Sequence, residues 1–321
     1  MIKDEVLAKE WIPVANVKEI QEEPVQVTVL GERVVLFRTS KGIKALKDLC
    51  IHRGANLSIG KIKNDCIQCA YHGWEYNGDG DCTKIPQLTE RQAIPLKAKA
   101  IPYACMEKYG LVWVNLAGND PEPPVFGKLD DPAFHFVILG PFDVNASAPR
   151  FLESAIDVAH FAFIHEGYLG DPGFPLIPDY EVYREGGKIF TSTFPVYQPN
   201  AANGGSVDNL YFYEIHGPVM MSVTITNRET GNTIYIAGLV QPVEERKCRV
   251  YNLFAVDFDM PDEEIIPYQT LLFEQDKFVV EHQFPEELPL DLQAELHLRP
   301  DRLSIAYRKY LNELGVTLGT A

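Results

Sequence analysis

Runs of β-branched and apolar residues, cut by turn signals, dominate the first 118 residues. Residues 25–30 and 33–38 flank Gly31-Glu32, and a further turn is expected at Lys41-Gly42. Asn77-Gly78 and Asp79-Gly80 are consecutive hairpin signals, and residues 109–116 predict a closing strand. At 118–124 the chain reads GNDPEPP, where proline and glycine remove both helix and ladder options. Beyond that break the pattern is mixed. Residues 151–164 are apolar with small residues interspersed and predict a helix. Strands are expected at 188–196, 210–215, 219–227, 233–243 and 249–259, with 200–206 (NAANGGS) as a flexible loop. Helices are expected at 261–284 and 300–314, and in the second Leu303, Ala306, Tyr307, Tyr310, Leu311 and Leu314 share one face. The fold class expected is α+β. A β-rich domain fills 1–118, a linker 119–132, and a domain over 133–321 sets helices against a large antiparallel sheet.

Composition narrows the possible roles. Hydrophobic residues make up 46% of the 321, enough to build a core without disulfide staples. A net charge of −16 argues against nucleic acid or an anionic membrane as partner and leaves room for a cationic small molecule or a basic protein. No apolar run approaches the length that crosses a bilayer. The opening MIKDEVLAKEW lacks the basic-then-apolar pattern of a leader, so the expected location is the cytoplasm. Six cysteines in such a chain point to metal ligation or burial.

Four candidate ligands form a doublet. Cys50-Ile-His52 is followed sixteen residues later by Cys69-Ala-Tyr-His72, and Gly54 and Gly73 can turn each loop tightly. A [2Fe–2S] cluster with two cysteines on one iron and two histidines on the other needs these four groups. A zinc site also takes two of each, and Cys66-x-x-Cys69 offers a competing knuckle. CIHRGA and CAYHGW resemble the Rieske motif of ring-hydroxylating and related oxygenases. The resemblance sets Ala55 and Tyr71 where respiratory Rieske proteins carry a loop-tying disulfide, which favours the oxygenase or ferredoxin branch.

A second constellation lies in the segment FLESAIDVAHFAFIHEG, residues 151–167. Asp157 and His160 are three apart and share a helix face, whereas His165 is about 140° further round. For both histidines to bind one metal the helix must loosen or end between them. Two imidazoles and a carboxylate make the facial triad of non-haem Fe(II) oxygenases. On its own, H-x-x-x-x-H is more often a pair of hydrogen-bonded core histidines than a ligand set. Downstream of a Rieske doublet, D-x-x-H-x-x-x-x-H resembles the mononuclear-iron signature of Rieske oxygenase α subunits. One departure is Ser154, where that family often has asparagine.

The resemblance implies a helix-grip, START-like catalytic domain and a third iron ligand on a late helix. Asp276 is the choice there, with Glu274 and Glu281 as fallbacks. It implies that Asp157 relays electrons between subunits, from a cluster histidine matched by His72 to the iron at His160, within a head-to-tail homotrimer. It also implies dioxygen, a small-molecule substrate and a separate NAD(P)H-dependent reductase, with or without a ferredoxin. The chain has no G-x-G-x-x-G fingerprint after a strand and no plant-type cysteine run of its own.

Residues 154–171 and 300–319 resemble the cyanobacterial saxitoxin-biosynthesis Rieske hydroxylases, and the length resembles the vanillate and dicamba demethylase group. The activity expected is C–H hydroxylation of a small molecule of guanidinium-alkaloid type, with oxidative O- or N-demethylation second. A non-catalytic Rieske electron carrier or redox sensor is the competing class. Pocket walls are expected near 211–213 and 220–226, with 203–206 as a lid.

Overall fold

The computed structural model describes residues 3–119 and 121–321. The chain divides into two compact units, Met1–Pro123 and Pro124–Ala321.

In the first unit, β1 (Ile12–Asn16), β2 (Val25–Val29), β3 (Glu32–Thr39) and β4 (Gly42–Lys47) precede an inserted four-stranded sheet. That sheet is β5 (Lys61–Lys63), β6 (Cys66–Gln68), β7 (Glu75–Tyr76) and β8 (Cys82–Lys84). β9 (Pro102–Lys108) and β10 (Leu111–Asn115) return to the first sheet, whose order is β1-β10-β9-β4-β3-β2. The hairpin at Gly31, with φ of 71°, and the left-handed Gly42 make the turns read from the sequence. Val35, Phe37, Leu46, Leu57, Ile67 and Tyr76 form one buried cluster with Cys50 and Cys69, so the apolar faces of both sheets close over the two cysteine loops.

The second unit is built on an eight-stranded antiparallel sheet. Its strands are β11 (His135–Val144), β12 (Val182–Glu185), β13 (Lys188–Thr191), β14 (Phe194–Ala201), β15 (Gly205–Gly217), β16 (Met220–Asn227), β17 (Thr233–Glu244) and β18 (Lys247–Val256). The order is β11-β18-β17-β16-β15-β13-β12, with β14 paired to β15. Val207, Asn209, Tyr211, Tyr213 and Ile215 alternate inward along β15, the period-two signature of a sheet with one covered face.

Helices α1 (Ala148–Ala155), α2 (Phe161–Ile164), α3 (Asp262–Val280) and α4 (Arg302–Leu314) flank this sheet. Ser147 caps α1 by accepting from the Arg150 amide, and α4 stops at left-handed Gly315. The α+β class and the large antiparallel sheet hold.

Two local expectations need correcting. The single strand at 188–196 is two strands, broken at Ser192-Thr193. The lid expected at 203–206 falls on the tight turn at 202–204 and the first two residues of β15, and Asn203 is buried there, exchanging amide hydrogen bonds with Asn209. A turn pinned through a buried amide pair is not a free flap.

Candidate metal centres

The two cysteine loops fold alike. The Cys50 amide donates to Ala55 O (2.8 Å) and the Gly54 amide to Cys50 O (2.9 Å). In the second loop the Cys69 amide donates to Trp74 O (2.8 Å) and the Gly73 amide to Cys69 O (3.0 Å). Both glycines are left-handed, with φ of 74° and 71°, a conformation that other residues adopt only with strain. The backbone turns therefore match, while the histidine sits two residues after the cysteine in the first loop and three after it in the second.

Cys50 and Cys69 are buried, and the His52 and His72 rings lie 4.5 Å apart. Trp74 stacks on His52 at 4.6 Å and 7°. Tyr76 Oη lies 3.3 Å from Cys50 Sγ. The Nδ1 atom of His52 is buried and has no hydrogen-bond partner. Such an orphaned nitrogen beside two buried thiols has the donor chemistry of a metal ligand. Cys66 is turned away, 3.5 Å from Thr83 Oγ1, which removes the Cys66-x-x-Cys69 knuckle.

In the second unit the helix expected at 151–164 breaks. α1 ends at Ala155, and the turn that follows is held by Asp157, whose carboxylate accepts from the amides of Ala159 (3.2 Å) and His160 (3.0 Å). α2 then begins at Phe161. The chain breaks once before His160, and the short α2 then ends at Ile164, between the two histidines as expected; together these bring the His160 and His165 Nε2 atoms to 3.3 Å. Asp276, on α3, places Oδ1 3.0 Å from His165 Nε2 and 3.3 Å from His160 Nε2. Among the described residues, these three are the one group of this kind with ligand atoms mutually within 4.8 Å. Glu274 stands half-exposed near Lys277, and Glu281 accepts from the Asn145 amide at 2.8 Å, so neither fallback joins the group.

The outer edges of both rings are engaged. Asp157 Oδ2 sits 2.8 Å from His160 Nδ1, and Gln275 Oε1 sits 2.8 Å from His165 Nδ1. Both partners accept, so in the neutral, ligand-competent form of each ring Nδ1 carries the proton and the Nε2 lone pair faces the common centre. Gln275 was not singled out in the sequence; its one signal was adjacency to Asp276.

Burial opposes charge on His160, but Asp157 and Asp276 outweigh it and push the imidazole up to about 9. Burial likewise works against both carboxylates, yet their histidine partners hold Asp157 and Asp276 below the ordinary carboxylate range. A knot of two carboxylates and two imidazoles that favours one extra positive charge is the electrostatic setting for a divalent cation.

Two cavities reach this knot. One, of about 120 Å³, is walled by Tyr211, Tyr213, Met221, Val223 and Ile225 of the sheet and by helix residues including Phe161 and Phe273. Its lining includes the amides Asn252 and Gln269 but no lysine, arginine or glutamate, and Asp276 is its one acid. The other, of about 270 Å³, is polar; it takes in Asp157, His160 and Asp276 with Glu153, Glu295 and Arg308. The walls expected at 211–213 and 220–226 are those of the first cavity, through their inward-facing members.

Family comparison agrees with this layout. A Rieske [2Fe-2S] domain model matches residues 10–102, and the model of the vanillate O-demethylase oxygenase C-terminal domain matches 144–317. The chain belongs to the Rieske oxygenase α subunits. This Rieske oxygenase is 32% identical to methylxanthine N1-demethylase NdmA of Pseudomonas putida, over 97% of this chain and 90% of that protein. It is 28% identical to methylxanthine N3-demethylase NdmB of the same organism, over 96% and 89%. The solved structure of NdmA with caffeine superposes with a TM-score of 0.86 at 31% identity, covering 96% of this chain and 91% of that one. Dicamba monooxygenase bound to dicamba shares the fold, with a TM-score of 0.81 at 23% identity.

Members of the family use a [2Fe–2S] cluster and a mononuclear iron, and both donor sets in this Rieske oxygenase fit those groups. Oxidative demethylation, the second activity expected from the sequence, fits the relatives well. N-demethylases are prominent among the relatives, and the apolar cavity has no second acid with which to bind a guanidinium. The saxitoxin-type substrate is therefore unsupported. No helix among the described residues is long and apolar enough to cross a membrane.

Proposed function

We propose that this chain is a terminal oxygenase that removes a methyl group from a small neutral heterocycle. In this reading Cys50, His52, Cys69 and His72 hold the cluster, and His160, His165 and Asp276 hold the iron. When bound, the cluster would supply one-electron transfer and the iron would supply open positions for dioxygen chemistry. The observation that carries the reading is the apolar cavity, because it ends on the histidine–aspartate knot and has no charged wall beyond it. A carboxylate substrate would find no cation there, and a guanidinium would find only Asp276. A flat neutral ring meets aromatic faces, with Asn252 and Gln269 free to match carbonyl and N–H groups at its edge.

The surrounding residues have definable tasks. Gln275 and Asp157 hold the two imidazoles in one tautomer, Phe161 and Phe273 exclude water, and Gln269 and Asn252 orient the ring. Oxidation of an N–CH3 group by dioxygen with two electrons and two protons gives the N–H compound, formaldehyde and water. Asp157 lines the polar cavity, the side from which a second copy's cluster loop is expected to dock. We assign Asp157 as the electron relay between subunits in a head-to-tail trimer. Exposed Leu296 beside that cavity and exposed Phe163 on α2 suit burial in such an interface. The electrons come from a separate nicotinamide-dependent reductase, which makes the cytoplasm the working compartment.

The test is turnover with a surrogate reductase, comparing caffeine and theobromine with methoxybenzoates and guanidinium alkaloids. Formaldehyde and a demethylated product from the neutral rings are expected. A hydroxylated guanidinium product in their place would refute the reading.

A further inference from the structure

The chain is acidic, with a net charge of −16, but the excess of acids lies beyond residue 119: residues 1–119 hold sixteen lysines and arginines against fourteen acids. Between Cys50 and Ala100, which contains both cysteine loops and the β5–β8 sheet, there are seven lysines and arginines against five acids. The imbalance is concentrated on one face of that sheet. Lys61 pairs in register with Gln68, Gln68 with Glu75, and Glu75 with Lys84, so these four form a row across the strands. Lys63 joins the same face two residues along β5.

The single acid in this group is buried and already occupied. Glu75 Oε1 accepts from Gln68 Nε2 at 2.7 Å and lies 4.0 Å from both Lys63 Nζ and Lys84 Nζ. The lysines themselves are about half-exposed, at 48% and 54%. The opposite face of the sheet turns Ile67 and Tyr76 into the core that contains Cys50 and Cys69. Tyr76 reaches Cys50 from that side, and β6 runs directly into Cys69. One layer of backbone therefore separates a basic surface from the cysteine ligands.

We propose that this outer face, with Lys61, Lys63 and Lys84 at its centre, is the docking surface for an acidic one-electron carrier protein. The proposal rests on the oxygenase reading above, which requires an external electron donor. An acidic donor is repelled by the second unit and can approach the first, where this lysine row offers the attraction, so the charge distribution selects the unit at which electrons must enter. One electron crosses in each encounter. The donor's reduced centre is oxidised, the Rieske cluster is reduced, and no bond forms or breaks.

The experiment uses the cluster-loaded chain and an acidic plant-type [2Fe–2S] ferredoxin as probe. Two quantities are read without any substrate: the Kd of the oxidised ferredoxin, and the rate of cluster bleaching by the reduced ferredoxin. For the unaltered chain both affinity and rate should fall as salt rises, because attraction at the patch is screened. A rate that rises with salt, as overall repulsion between two acidic proteins dictates, overturns the proposal.

In the variant K61E/K63E/K84E the ferredoxin rate should drop at least about tenfold. Bleaching by photoreduced 5-deazariboflavin, which is uncharged, should not change. The variant K18E/K247E/K309E makes the same change in net charge elsewhere; equal slowing in both triples also overturns the proposal. If charge reversal disturbs the cluster spectrum, K61Q/K63Q/K84Q takes its place, with the same opposite outcomes. Failure of the oxygenase reading would appear separately, as normal cluster reduction without any product.

Discussion

Replacing Gln275 by leucine tests the geometry of the iron site at a residue that would not itself touch the metal. His165 is 1% exposed, and its Nδ1–H has one acceptor, Gln275 Oε1, at 2.8 Å. Leucine fills a similar volume but accepts nothing, and water has no route to a ring this buried. An unsatisfied buried donor costs about 1–3 kcal/mol. In the metal-bound state the imidazole cannot relieve that cost by turning, because Nε2 is committed to the centre. With about 1.4 kcal/mol to each factor of ten, Fe(II) affinity should fall roughly tenfold to a hundredfold.

The assay is anaerobic competition with a colorimetric Fe(II) chelator on protein whose cluster spectrum is intact. Gln275→Glu keeps an acceptor at the same place and should bind Fe(II) at least as well as the parent chain. The reasoning is refuted if Gln275→Leu binds within about twofold of the parent, or if Gln275→Glu loses as much as the leucine variant.

Other consequences can be measured directly. If Asp157 serves a cluster on another copy, His72→Ala and His160→Ala chains, each inactive alone, should recover partial turnover when co-assembled; a mixture as dead as its parts would refute the shared site. Tyr76→Phe removes the hydroxyl that reaches Cys50 Sγ and with it a donor to the cluster sulfur. The midpoint potential should fall while the cluster content stays constant, as voltammetry with iron and sulfide analysis would show. His216 is buried beside Lys188, and burial drives its imidazole from 6.5 down to about 3. Between those pH values the unfolded chain takes up a proton that the folded chain refuses, so stability falls as the solution is acidified through this window and is fully present above it. In denaturant titrations His216→Asn should flatten that part of the profile; an unchanged acid limb would count against the assignment.

Much of this was legible in the sequence, for identifiable reasons. The cluster loops could be read because each needs a glycine at positive φ within a few residues of its ligands, and such local demands leave a spacing. The β15 and β16 walls could be read because a half-covered sheet forces alternation. The break before His160 could not be placed. Asp157 looks like an ordinary helical residue in the sequence, and only its carboxylate turned onto two backbone amides shows that the helix has ended. Gln275 and the amides of the apolar cavity were silent for a different reason. They act across more than a hundred residues of chain or across strands, and a lone amide has no spacing to betray it. The substrate could not be read from 154–171 and 300–319, because most of the cavity wall lies on the sheet and α3, outside both segments.

The histidine–aspartate knot is a partition with two sides. The residues that shape the neutral cavity belong largely to the sheet and to α3, whereas those on the polar side belong to α1, the turn after it and the segment leading into α4. Few side chains serve both. Substitutions at Met221, Val223 or Ile236 can therefore change what fits without disturbing Asp157 or the carboxylate–guanidinium network behind it. A lineage built this way can change its diet while keeping its wiring, and a designer who wants a new substrate has a wall to rebuild that carries no current.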